Sequence, residues 1–126
     1  MGQHTLTRRE RDAVRESLIW SMTSACSDLE MSLAQHKDYR QARRLRREIE
    51  DAAALLDDLG WKPQDSRTSF ELTPSHRQLR RVARRLKKSA AKDLFACALG
   101  FFEETEANET YERAVTVGRV CIELLR

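Results

Sequence analysis

The residues best suited to chemistry in this chain are cations arranged along one segment. In RQLRRVARRLKK, residues 77–88, seven of the twelve residues are basic and none is acidic. At the helical angle of 100° per residue, these side chains share an arc about 160° wide, opposite an apolar arc. Guanidinium and ammonium groups concentrated on one face can bind phosphates or carboxylates. The pattern therefore predicts a face that contacts an anion.

A second segment repeats the design. In YRQARRLRRE, residues 39–48, arginines again lie opposite apolar positions. Downstream of each basic segment the charge becomes acidic, in residues 48–58 and 103–112, which opposes the preference set by the helix dipole. Ion pairs between antiparallel helices would explain this order, and so would an external anionic partner. The predicted partner or anion-binding face comprises Arg77, Arg80, Arg81, Arg84, Lys88, Arg40, Arg43, Arg44 and Arg47.

The position of each cation on its helix separates these explanations in part. Arg85 and Lys87 flank the apolar arc, so pairs within the protein can account for them. The mid-face residues are expected to be solvated or to meet a partner, because they do not point toward a neighbouring helix; they are Arg77, Arg81, Arg84 and Lys88. For this face three interpretations stay open, namely hydration alone, an acidic protein or a nucleic acid. The run has no interleaved aromatic residue for base stacking, which argues against the nucleic acid.

An apolar segment follows the basic run. In DLFACALGFFEE, residues 93–104, Phe95, Leu99 and Phe102 lie opposite the apolar side that continues from upstream. An all-round apolar helix is usually buried, so in one interpretation neighbouring helices cover this half of the predicted third helix, residues 74–105, on both sides. The other leaves these three residues exposed as an association stripe, the surface that a partner or a second copy would contact.

Patterns for catalysis, metal binding and cofactor binding are absent from the sequence. It has no Gly-rich phosphate loop and no recognisable nucleophile context. The histidines and cysteines have no ligand spacing, and no CxxC occurs among them; they are His4, His36, His76, Cys26, Cys97 and Cys121. We expect no catalytic residue, no metal site and no cofactor, and hence no enzyme.

Start signals and apolar spacings of three and four predict four helices. Thr7 and Glu10 form a capping box, Asp38 and Asn108 are expected caps, and Thr73-Pro74 marks a third start. The predicted helices cover residues 8–35, 38–59, 74–105 and 109–125. The connection, residues 60–73, begins at Gly60 and contains SFEL, which is expected to be extended.

The length of 126 residues fits a single domain. We predict an all-α, up-and-down, four-helix bundle-like fold with its longer connection between helices 2 and 3. No apolar run reaches the roughly 18 residues of a membrane span, and no secretion leader is recognised. The three cysteines are expected to be reduced core thiols, which favours the cytoplasm.

These features favour association over catalysis. The leading hypothesis is a non-enzymatic adaptor or regulatory protein that acts through protein–protein contacts, including self-association. It uses the association stripe for assembly and the basic faces for an acidic partner. The alternative is a nucleic-acid-binding accessory protein that uses the basic faces of helices 2 and 3, consistent with a net charge of +3. No membrane partner is expected.

Overall fold

The protein is described from a computed structural model covering residues 4–36 and 38–126. Four long helices dominate this part of the chain: α1 (Arg8–Met31), α2 (Tyr39–Leu59), α3 (His76–Ala98) and α4 (Glu104–Leu124). A π-helical turn, Ser32–His36, extends α1. The strands β1 (Thr5–Thr7) and β2 (Ser69–Glu71) make one small sheet. The predicted all-α, bundle-like fold is confirmed.

Side-chain caps explain where three of the helices begin. Thr7 and Glu10 form the expected capping box before α1. The carboxylate of Asp38 accepts a hydrogen bond from the Gln41 amide at the start of α2. A second capping box, formed by Ser75 and Gln78, starts α3 two residues later than predicted. In these places the local sequence is sufficient to satisfy the first free amides of each helix.

The helices pack as two antiparallel hairpins, α1 with α2 and α3 with α4. The hairpins meet chiefly through α1 with α4 and α2 with α3, which gives an up-and-down arrangement. The core contains side chains from all four helices, including Leu18, Leu55, Leu86 and Val117. Because neighbouring helices run in opposite directions, the last turns of α1 and α3 lie at one end of the bundle.

The small sheet closes the opposite end. β1 and β2 are antiparallel, with Leu6 paired with Phe70. Both side chains are buried, and Leu72 is buried beside them. The extended conformation predicted for SFEL is therefore confirmed. Its partner, β1, is only three residues long and lies immediately before α1. It was not predicted, since a strand that short has no visible periodicity.

The predicted end of the third helix is wrong. α3 ends at Ala98, and the chain leaves it through Gly100, whose φ is +75°. The amide of Gly100 bonds to the Cys97 carbonyl and that of Phe101 to the Ala96 carbonyl. This pattern of bonds satisfies the last carbonyls around a left-handed residue and ends a helix. Residues 99–103 thus form a turn.

The predicted start of the fourth helix is wrong as well. α4 begins at Glu104, with Glu103 as a cap that makes no side-chain bond, so Asn108 lies inside the helix. Neither Gly100 nor Gly118 provides room for a close contact within the described part of the chain. A Cβ at either position would meet nothing within 4 Å. Gly100 therefore acts through its backbone conformation alone.

The cysteines differ in exposure. Cys121 is buried and Cys97 is half-buried, whereas Cys26 is exposed, which contradicts its prediction as a core residue. Burial raises the pKa of the Cys121 thiol to about 11, only partly opposed by Lys87, so it stays protonated near neutral pH. Within the described ranges, no helix combines the length and apolarity needed to cross a membrane.

Candidate association surfaces

Arg81 was predicted to lie on the partner or anion-binding face, but it pairs with a carboxylate of α2. Its guanidinium donates from Nε and Nη2 to the two carboxylate oxygens of Asp51, at 2.9 and 3.0 Å. These hydrogen bonds raise the pKa of Arg81. The expectation that Arg81 would not reach a neighbouring helix is wrong, because its long side chain extends sideways to α2. Arg81 therefore holds α3 against α2.

The basic residues that flank the apolar side of α3 differ in their contacts within the protein. Arg85 lies 3.4 Å from Glu48 across the same seam, so the expected internal pairing is confirmed for it. Burial lowers the pKa of Arg85 and the Glu48 carboxylate opposes that shift. Arg80 donates to the backbone carbonyl of Leu125, the residue that follows α4. Among the described residues, Lys87 makes no ion pair.

The remaining cations of the predicted face stay at the surface. All are exposed, and within residues 4–36 and 38–126 none of them makes an ion pair; they are Arg77, Arg84, Lys88, Arg40, Arg43, Arg44 and Arg47. On α3 a shallow depression of about 590 Å³ is lined by cations and by two apolar residues; its lining is Arg80, Arg84, Lys87, Lys88, Ala91 and Leu125. The faces are thus available to an anion.

The association stripe is only partly present. Phe95 and Leu99 are 66% and 53% exposed. The interpretation in which neighbouring helices cover both sides of this half of helix 3 is therefore wrong. Phe102 does not extend the stripe, because the helix has ended before it. Its half-buried side chain lines a cleft of about 490 Å³ that Trp20 also lines. Helical spacing predicted the position of Phe102 on the assumption that the helix continued through it, but α3 ends at Ala98.

Phe101 takes the place that was predicted for Phe102. Its side chain is 73% exposed, the most exposed large apolar residue in the described part of the chain. We call Phe95, Leu99 and Phe101 the apolar tip, because they surround the turn between α3 and α4. The sequence signal for Phe101 was the Gly100 that precedes it, since a glycine at the end of a helix redirects the next side chain.

Acidic residues follow the apolar tip directly. Glu103, Glu104 and Glu106, the acidic rim, are exposed at the start of α4. None of them forms an ion pair with any residue that the structure describes. Their carboxylates lie near the amino end of a helix, where its dipole favours negative charge. The tip is therefore an apolar patch that is bordered by carboxylates on its α4 side.

A groove lies at the same end of the bundle, on the other hairpin. It has a volume of about 450 Å³ between the end of α1 and the start of α2, and we call it the hairpin groove. Its lining is Leu29, Leu33, Tyr39, Ala42, Arg43 and Arg46. Sequence reasoning missed this groove, although Leu33 and Tyr39 are large residues flanking a helix connection. From this set it assigned only Arg43 to a binding face.

Among the residues that the structure describes, no group of three or more His, Cys, Asp or Glu side chains is placed to hold a metal ion. Each surface combines apolar and charged side chains that suit contact with another macromolecule. No protein-family model, curated protein or solved structure matches this chain.

Proposed function

We propose that this protein is a cytoplasmic helical adaptor or regulator that works by protein–protein association. The apolar tip is its main docking surface, and the basic faces of α2 and α3 contact an acidic partner. The observation that carries the proposal is the exposure of two phenylalanines and a leucine around one turn. Exposed aromatic clusters of this kind supply the buried anchors of many protein interfaces.

The test removes the apolar side chains without touching the core. In one variant, Phe95→Gln is combined with Phe101→Gln. The control combines Tyr111→Gln with Ile122→Gln, which changes two other exposed apolar residues on α4. Circular dichroism establishes that both stay helical. Chemical cross-linking and sedimentation velocity then measure association, both of the purified protein and with any protein that copurifies in stoichiometric amount.

We expect the tip variant to lose association and the control to keep it. Fully burying a phenylalanine side chain contributes about 1.5–3 kcal/mol relative to leaving it exposed, so removing two of them should abolish most of the association. Association of the tip variant equal to that of the wild type would contradict the proposal, as would equal loss in the control.

A nucleic acid is the second candidate partner, supported by the exposed cations of α3 that form no ion pair with the residues the structure describes. Its test replaces Arg77, Arg84 and Lys88 with Glu and leaves Arg81 in place, because that residue holds Asp51. Binding to duplex DNA should weaken steeply with salt in the wild type and disappear in the variant. Binding that survives the three substitutions would exclude the basic face of α3 as the nucleic-acid site.

A further inference from the structure

We infer that the partner of the apolar tip is the hairpin groove of a second copy of this chain. The inference rests on the proposed function, because it names the surface that the tip contacts. The two surfaces have complementary chemistry. The tip is apolar with a border of carboxylates, and the groove is apolar with a border of guanidinium groups, Arg43 and Arg46.

The apolar parts match in kind. The groove offers Leu29, Leu33 and the ring of Tyr39 as walls, with the small side chain of Ala42 between them. A phenylalanine from the tip would fill such a space and exclude water from it, as aromatic anchors do at the centre of interfaces. The groove contains no residue of α3 or α4 from its own chain. In a single copy it is therefore open to solvent.

The charged borders match in sign. Glu103 and Glu104 follow the tip, and Arg43 lies at the groove without an ion pair in the described part of the chain. Arg46 lies 3.1 Å from Glu50, but both side chains are mostly exposed, so that pair leaves Arg46 available. Carboxylates brought against these guanidiniums would form charge-assisted hydrogen bonds and fix the orientation of the contact.

The position of both surfaces determines the form of the assembly. The tip and the groove lie at the same end of the bundle, one on each hairpin. A two-fold axis at that end places each tip against the groove of the other copy, so the same contact is made twice. Such an interface closes on itself and produces a dimer. Making the contact twice doubles the surface that the dimer buries.

The experiment uses charge reversal in the full-length protein. The rim variant carries Glu103→Lys and Glu104→Lys, and its control carries the same charge change at Glu71 and Glu112, which lie away from the tip. The groove variant carries Arg43→Glu and Arg46→Glu. Its control carries Arg9→Glu and Arg119→Glu, two exposed cations that lie toward the opposite end of the bundle and outside the groove lining. Sedimentation equilibrium measures the dimer dissociation constant of each, and circular dichroism checks their helicity.

We expect the wild type to dimerise and each of the two test variants to do so at least about tenfold more weakly, because both place like charges together. The two controls should dimerise as the wild type does. Mixing the rim variant with the groove variant should restore a dimer. In that mixed dimer a basic rim meets an acidic groove at one contact, and an acidic rim meets a basic groove at the other.

Recovery on mixing distinguishes a lost contact from a misfolded variant. Each variant has the same sequence alone and in the mixture, so a variant that was misfolded alone would not bind after mixing. A wild type that stays monomeric to high micromolar concentration overturns the inference, and so does a mixture that fails to dimerise. If the tip substitutions still abolish binding of a different protein in that case, the proposed function stands and only the identity of the partner is wrong. If neither kind of association depends on the tip, both fail.

Discussion

Arg81 on α3 and Asp51 on α2 form a bidentate pair whose carboxylate is almost fully enclosed. The side chain of Asp51 is 4% exposed and that of Arg81 is 30% exposed. A carboxylate removed from water needs a partner that supplies both charge and hydrogen bonds, and the planar guanidinium provides two parallel donors. Together with the contact of Arg85 with Glu48, this pair defines how α3 lies against α2.

Removing Arg81 alone should therefore destabilise the protein. In Arg81→Met the Asp51 carboxylate is left buried without its cation, so the urea midpoint of unfolding should fall. Combining it with Asp51→Leu should recover most of the loss, because an apolar pair of similar size needs no partner charge. Arg84→Met, one turn away and exposed, is the matched control and should stay within about 0.5 kcal/mol. A double variant less stable than the single one would contradict this account.

Arg11 should be among the most sensitive positions in the chain. Its guanidinium is fully buried and donates to the carbonyls of Leu59, Lys62 and Pro63 at 2.7–2.8 Å. It thereby satisfies the end of α2 and the loop beyond it. Arg11→Met should lower the free energy of unfolding by about 3–5 kcal/mol, since several buried carbonyls lose their donor.

The exposed neighbour Arg9 is the control for Arg11. Arg9→Met should change the free energy of unfolding by less than about 0.5 kcal/mol. Hydrogen exchange gives an independent measure, because Arg11→Met should accelerate exchange at the end of α2 before it affects α3. Uniform acceleration across both helices would show that Arg11 acts on the whole bundle instead of on this loop.

The loop after α2 should also respond to acid. Hydrogen bonds from Arg67 hold the pKa of Asp65 well below its ordinary value of 3.8. A depressed folded-state pKa stabilises the protein above the unfolded value and loses that effect as the pH falls through the folded value. The stability difference between the wild type and Asp65→Asn should thus be constant above about pH 5 and shrink as the pH drops further. A difference that does not change with pH would contradict the pairing.

Three glycine substitutions should have three different outcomes. At Gly60, with φ of +86°, an added Cβ would lie 2.9 Å from Asp65 Oδ2 and 3.1 Å from Arg11 Nη2, so Gly60→Ala should cost about 2 kcal/mol or more. Gly100→Ala meets no atom within 4 Å and should cost only the strain of its positive φ, about 1 kcal/mol. Gly118→Ala, inside α4, should stabilise by about 0.5–1 kcal/mol. Thermal unfolding measures all three, and any other order would refute the argument.

Local sequence determined the helical class, two of the capped starts and the segregation of basic from apolar faces. These features depend on neighbours within one or two turns, such as Thr7 with Glu10 or Asp38 with the Gln41 amide. It also predicted the internal role of Arg85, because a residue at the edge of a face is close to the next helix. The extended SFEL segment followed from its alternation and its turn residues.

Only the tertiary structure decided which cations remain available and where the apolar tip lies. A helical projection gives the direction of Arg81 from its own axis but not the reach of its side chain to Asp51. Nothing local distinguished Arg11, which is buried, from Arg9, which is exposed, because the acceptors for Arg11 lie some 50 positions further along the chain. The turn at Gly100 exchanged Phe102 for Phe101 at the surface. Periodicity describes a helix while it continues, whereas its end and its neighbours are set by contacts distant in sequence.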